Sequence, residues 1–327
     1  MKTSIKLVLG ILLVFIASNC FLSKDVIVER FIEIERPINQ VFMKVANIKE
    51  WQNWDPWCTQ DSTLKVTYPS VIFGENAYRS WVSEEYGSGE MTFTTIELNK
   101  LIEFDLQFLE PFESEAKAII SFEQIKGETK VSWSMYQEYP FLLRVFGLLA
   151  DNMIGPDFEL GLQNLKSYVE AIKDPFHILM FDKAEFYVYS KTENCTTADI
   201  GTTLETAYGN LIDKMAEDEI TIFGKPICIY HSYTDTEVEL EAALPVHQIT
   251  IPSEYTKTIP TATVLKATYV GAYDKTQAAY DALDAFAVKN ELSTSDSHYQ
   301  IFITDPGIVT DPNKWVTEIY YTVENSL

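Results

Sequence analysis

One carboxylate stands alone in a strand-like run near the C-terminus, and its type and setting give it the clearest chemical potential in the chain. The run is Trp315-Val316-Thr317-Glu318-Ile319-Tyr320-Tyr321-Thr322-Val323. β-Branched and aromatic residues fill it and neither Gly nor Pro interrupts it, so it reads as a β-strand. Alternation puts Val316, Glu318, Tyr320 and Thr322 on one face and Trp315, Thr317, Ile319, Tyr321 and Val323 on the other. If its face is covered, Glu318 needs a hydrogen bond, an ion pair or a ligand, because an unpartnered buried carboxylate is costly or takes up a proton. Two chemistries follow. Glu318 with Tyr320 and Tyr273 offers an acidic aromatic seat for a hydrophobic or cationic aromatic molecule, with Trp315 nearby in sequence but alternating to the other face. Alternatively Glu318 acts as general base on water while a tyrosine such as Tyr273 stabilises developing negative charge. The plainer reading is a strand Glu that faces water.

Little else in the sequence advertises catalysis. The cysteines, at 20, 58, 195 and 228, have no metal-ligand spacing, and a Cys195–Cys228 bridge is open from sequence alone. The histidines, at 177, 231, 247 and 298, stand beside no nucleophile motif. No metal and no cofactor is expected. With 48 acidic against 25 basic residues the net charge is −23, which repels phosphate backbones, so no nucleic-acid partner is expected.

The elements that must position these residues fall into segments. An apolar run, residues 5–22, follows Lys2 and Lys6 and approaches the roughly 20 residues that a spanning helix needs. Residues 1–25 therefore read as a membrane anchor, with a cleaved signal or a lipidated Cys20 as alternatives. The lysines stay cytoplasmic by the positive-inside rule, which puts the rest outside the cytoplasm. Within 26–173 an alternating strand is followed by a short helix from Pro37. Then comes Trp51-Gln52-Asn53-Trp54-Asp55-Pro56-Trp57, whose three indoles are too many to lie idle on a surface. Strands are expected at Leu64–Tyr68, Ala77–Val82, Gly89–Glu97, Leu101–Phe108, Ser114–Gln124 and Lys130–Tyr136, and a long helix over Asp157–Ile172. Asp174-Pro175 ends that helix, with a linker at 174–179.

This order resembles the SRPBCC superfamily, the START-like helix-grip fold, in its polyketide-cyclase-like branch. The residues that carry the likeness are Val28-Glu29-Arg30, Ile34, Pro37, Val41-Phe42, Val45, Trp51, Trp54 and Pro56-Trp57, then Ile154-Gly155-Pro156-Asp157-Phe158-Glu159 with Gly161, Leu162, Leu165 and Lys166. The resemblance implies an α+β fold with a cavity between an antiparallel sheet and the long helix. Its expected lining is Trp57, Trp81, Phe104, Phe108 and Trp133, with plain core as the competing reading. The fold serves enzymes, carriers and binders alike, so it does not fix function.

Residues 180–327 contain a repeat. Helix Thr203–Asp218 with strands Pro226–Ser232 and Val238–Leu244 is echoed by helix Tyr273–Asn290 with strands Tyr299–Thr304 and Val316–Val323, which makes Glu241 and Glu318 equivalent. The segment Ala267-Thr268-Tyr269-Val270-Gly271-Ala272-Tyr273, with Asp305-Pro306 and Thr317-Glu318-Ile319-Tyr320, resembles the GyrI-like, effector-binding domain. That resemblance implies a small, often cationic or aromatic ligand between the two halves. It carries the family's acidic residue to Glu318 and its loop aromatics to Tyr269 and Tyr273. Thr322 stands where the family has proline. The reading is a membrane-tethered, extracytoplasmic binding protein that is not an enzyme. A Glu318-based hydrolase and an interaction module with vestigial pockets are the alternatives.

Overall fold

A computed structural model describes residues 15–16, 19–69, 71–249 and 252–324. The chain divides into two compact units between Ile172 and Lys173. Most of the apolar run at 5–22 lies outside the described residues. Among the described residues, no helix is long and apolar enough to cross a membrane.

The first unit is built on alternation. β1 (Asp25–Ile34) leads into α1 (Ile38–Ala46), α2 (Pro56–Gln60) and β2 (Lys65–Thr67). A meander follows: β3 (Tyr78–Ser83), β4 (Gly87–Glu97), β5 (Leu101–Glu110), β6 (Ser114–Ile125) and β7 (Glu128–Glu138). They form one antiparallel sheet in the order β1-β7-β6-β5-β4-β3-β2. In β6, Ala116, Ala118, Ile120 and Phe122 are buried while the residues between them are exposed, so one face meets the core and the other meets water. After α3 (Arg144–Gly147), the long helix α4 (Ala150–Ala171) covers the buried face with Phe158, Gly161, Leu162, Leu165 and Val169.

The helix begins at Ala150, upstream of the expected Asp157, and runs through Pro156. A partner distant in sequence explains the difference. The Arg30 guanidinium of β1 donates to Asp151 at 2.8 Å and to Glu159 at 2.6 Å, one turn to either side of Gly155. A Cβ on Gly155 would lie 2.2 Å from Arg30 Nη2, so the glycine makes room for this staple.

The Trp-rich segment joins helix to sheet. The indoles of Trp51 and Trp54 donate to the carbonyls of Val45 (2.7 Å) and Lys44 (3.2 Å), satisfying the end of α1. Asp55 caps α2 by accepting from the Trp57 amide at 3.0 Å, and Pro56 occupies the first helical turn.

The second unit runs β8 (Leu179–Lys183), β9 (Phe186–Thr196), α5 (Ile200–Glu217), β10 (Ile227–Tyr233), β11 (Glu237–Val246), β12 (Thr256–Ile259), β13 (Ala262–Val270), α6 (Gln277–Lys289), β14 (Thr294–Phe302) and β15 (Val316–Val323). The sheet order, β12-β9-β11-β10-β14-β15-β13-β8, is a palindrome of the two repeats about the β10–β14 pair. Register gives the duplication residue by residue. Glu241 lies between Ile229 and Thr192, and Glu318 lies between Ile301 and Thr268. The pairs Ile227–Ile301 and Ile229–Tyr299 then exchange, so the pseudo-twofold passes through Cys228–Gln300. Both helices pack on one face. The opposite face has its own apolar floor around Val188, Ile229, Val264, Tyr299 and Tyr320.

Candidate functional site

In the first unit, a cavity of about 380 Å³ adjoins the sheet and α4. Trp57, Trp81, Leu106, Phe108 and Met135 form much of its wall. Trp81 lies flat over Gly89, the residue opposite it in register, where a Cβ would sit 2.4 Å from the indole. This brings the indole edge-on to Phe108, with centroids 6.0 Å apart. Glycine here lets a large ring lie across the strand.

The polar end of the cavity holds a buried ion pair. Arg79 Nη2 meets Asp55 Oδ2 at 2.5 Å, and the guanidinium lies over the Trp51 ring at 4.9 Å. Arg79 Nη1 is 3.9 Å from Cys58 Sγ. Burial, with the Asp55 charge beside it, pushes the Cys58 thiol up to about 12. At neutral pH that sulfur is a thiol and a poor nucleophile. Asp157, from α4, is also pushed up by burial.

In the second unit Glu318 lies on the helix-free face. Lys266 donates to Oε1 at 2.7 Å and the Tyr320 hydroxyl to Oε2 at 2.6 Å. Tyr320 stacks on Tyr299 at 4.7 Å with ring planes 6° apart. Burial alone would raise the carboxyl, but the hydrogen bonds from Lys266 and Tyr320 outweigh it and hold Glu318 below its ordinary value. The copy at Glu241 is tighter. Ser190, His231 and Lys257, from three strands, reach it at 2.6, 2.8 and 2.6 Å. Burial is again outweighed, and Glu241 is also lowered. Ser190 and Lys266 occupy matching places, since Ser190 pairs with Ala243 and Lys266 with Tyr320, each two residues beyond its glutamate.

A pH dependence follows. Two carboxyls whose folded values lie below 4.5 contribute stability that is complete above their unfolded value and is lost as pH falls through the folded one. The double variant Glu241→Gln/Glu318→Gln is therefore expected to melt below wild type at pH 7, with the gap narrowing as pH falls below the ordinary glutamate value. A gap that stays constant across thermal melts over this range would contradict the ion-pair account.

The residues singled out from sequence divide by location. Trp57, Trp81 and Phe108 line the cavity. Phe104 and Trp133 are core instead, each about 1 % exposed and in edge contact with Trp51. Glu318 and Tyr320 sit together, but Tyr269, Tyr273 and Trp315 do not join them. Tyr269 and Trp315 have the opposite parity from Glu318, which places them on the helix side. There Tyr273 packs on Trp315 at 4.6 Å and donates to the Thr304 carbonyl at 2.9 Å. Tyr269 folds over Gly271. Cys195 and Cys228 are both free thiols, so no bridge joins them. Arg79, Asp55, Lys183 and Lys266 were missed from sequence, where charged residues read as solvent-facing. An Arg within the strand-like Tyr78-Arg79-Ser80-Trp81 was the one available signal.

A buried-face sheet gripped by a long helix around an apolar cavity, joined to a duplicated strand–helix–strand–strand unit, defines a protein built from two ligand-binding folds. Residues 25–170 match the family model for polyketide cyclase/dehydrase and lipid transport, and residues 176–324 match that of the GyrI-like small molecule binding domain. The chain is a fusion of an SRPBCC-type, polyketide-cyclase-like domain with a GyrI-like domain. Among solved structures, it is similar to the EcmrR C-terminal domain at 20% identity and a TM-score of 0.39, over 47% of this chain and all of that one. EcmrR in a DNA complex matches at 17% and 0.45, over 58% of this chain and 87% of that one. A protein from Chromobacterium violaceum matches at 9% and 0.36, over 45% and 98%. No curated protein matches.

Proposed function

We propose that this is a membrane-tethered binding protein working outside the cytoplasm, with an apolar ligand held in the first unit and an aromatic one at the Glu318 face of the second. The cavity carries the reading. Its volume of about 380 Å³ and its aromatic wall suit a ligand of modest size, and its polar end offers fixed hydrogen-bonding groups. Binding is favoured over hydrolysis by the arrangement at Glu318. A carboxylate held low by Lys266 and Tyr320 is a weak base, and Tyr273 lies across the sheet from it.

The tether is residues 5–22, and surface chemistry next to it supports that reading. Arg144 donates to the carbonyls of Asn19 and Leu22, each at 3.3 Å, where the apolar run ends. Around it Leu142, Phe146, Leu148 and Met153 are 52–68% exposed. The stretch 139–150 has no acidic residue in a chain with 48. Such a patch suits the interfacial layer of a bilayer.

The test of the cavity is to fill it. Leu106→Trp should leave the fold intact and lower affinity for an uncharged apolar fluorescent probe such as N-phenyl-1-naphthylamine at least about tenfold, one methylene-sized group being worth ~1 kcal/mol and an indole several. Equal probe binding by both proteins would remove the cavity from the function. Native mass spectrometry of the purified chain should reveal a co-purifying apolar molecule in wild type and not in the variant.

A further inference from the structure

Lys183 is the group at the Glu318 face that the fold does not explain. It ends β8, and the register β8–β13–β15 puts its side chain on the same face as Lys266 and Glu318. Its ammonium lies 5.0 Å from the Tyr320 ring centroid and 5.1 Å from that of Phe186. Among the described residues it makes no ion pair, whereas Lys266 has taken Glu318 at 2.7 Å. Burial pushes Lys183 down, Glu318 pulls it up and Lys266 pushes it down again. No other charge acts on it appreciably. Glu318 in turn feels Lys266 and Lys183.

The charges that act on Lys183 and Glu318 are therefore one carboxylate and two ammoniums, a local surplus of one positive charge, while Glu241 elsewhere on the same face is already held by Lys257 and His231. A cationic ligand would have to break the Lys266–Glu318 pair and would still be repelled by Lys183. It would also compete for the Tyr320 face that Lys183 already covers. A carboxylate has neither obstacle. It gives Lys183 the counter-ion it lacks, and an attached ring finds the partly exposed Phe186 within reach, 5.1 Å from the same ammonium.

We propose that the Glu318 face selects aromatic acids, with Lys183 as the residue that pairs with the ligand carboxylate and sets this preference against cations. The proposal rests on the reading of this face as a small-molecule site and reverses the ligand charge expected from the sequence. Glu318 becomes a positioning residue that holds Lys266 and Tyr320.

The matched probes are 2-naphthoate and 2-naphthylmethylammonium, which share a ring system and differ in the sign of their charge. Each is titrated calorimetrically into the full chain carrying Leu106→Trp, so that the cavity of the first unit does not contribute. The expected result is that the acid binds more tightly than the ammonium. Lys183→Met, whose apolar surroundings accept a thioether, should weaken the acid at least tenfold and improve the ammonium. Lys183→Arg should keep the preference for the acid, and unchanged melting temperatures exclude misfolding. Tighter binding of the ammonium by wild type, or acid binding indifferent to Lys183→Met, overturns the proposal while leaving a ligand site in place. Binding of neither probe to wild type, Lys183→Met or Glu318→Gln removes the ligand site itself and the proposal with it.

Discussion

Asp55→Asn is expected to destabilise the first unit by about 3–5 kcal/mol, the usual cost of stranding one member of a buried ion pair. Arg79 and Asp55 expose only 6% and 1% of their side chains, so the guanidinium cannot turn to water when its partner loses charge. Asn retains the helix-capping acceptor, and a lost cap is worth only ~1 kcal/mol, so capping cannot account for a drop of this size. The ring of Trp51 beneath Arg79 offsets part of the loss, but cation–π contacts are worth about 0.5–2 kcal/mol. Guanidinium unfolding followed by tryptophan fluorescence reads this unit selectively, because Trp315 is the one indole of six outside it. The companion variant Asp55→Asn/Arg79→Met removes the orphaned charge and should recover most of the loss. A single-variant drop below ~1 kcal/mol would mean that water reaches the pair and that the cavity's polar end is wet.

Such a pair is hard to see in a sequence, and the reason is general to this chain. Alternation reports which face a residue takes, so the strand positions of the first unit were legible to within a few residues: Leu101–Phe108 was expected where β5 spans Leu101–Glu110. It does not report depth along that face. Phe104 and Phe108 share parity on β5, yet Phe104 is sealed in the core while Phe108 borders empty volume. Nor does it report register. Lys266 stands beside Glu318 only because β13 pairs with β15 so that Lys266 faces Tyr320, two residues along. The early start of α4 has the same origin, since Arg30 reaches it from 121 residues away. Local pattern in this protein encodes elements and faces. The charged contacts that define its sites are long-range, and charge read locally means solvent. The duplication was the exception: a repeat compares the chain with itself, and it paired Glu241 with Glu318 before any register was known.

Trp133→Ala should be comparably damaging, by about 3–5 kcal/mol, through a different mechanism. Trp133 is where the sheet meets the long helix. Its ring stacks on Phe158 of α4 at 4.3 Å with planes 9° apart, and it meets Trp51, Trp54 and Trp57 edge-on at 5.7–6.1 Å. Gly161 lies against it, a Cβ there being 2.8 Å from the indole, so the helix has no side chain at that point to fill the space, and Pro56, 2.8 Å from the same Cβ position, still stands against the backbone. Deletion thus combines lost transfer energy with a void that cannot collapse. One term works the other way. Trp133 Nε1 is buried without a hydrogen-bond partner, so its removal also relieves an unsatisfied donor. Trp133→Phe separates the terms, since it keeps a stacked ring and discards the N–H, and it should cost less than half of what Trp133→Ala costs. The void has a functional reading as well. Trp57 touches Trp133 on one side and the cavity on the other, so in Trp133→Ala it is free to swing inward and enlarge the ligand space. The variant, held folded by lowering the temperature, is then expected to accept bulkier apolar probes than wild type. If Trp133→Ala unfolds at the wild-type midpoint, the helix is held by something other than this aromatic stack.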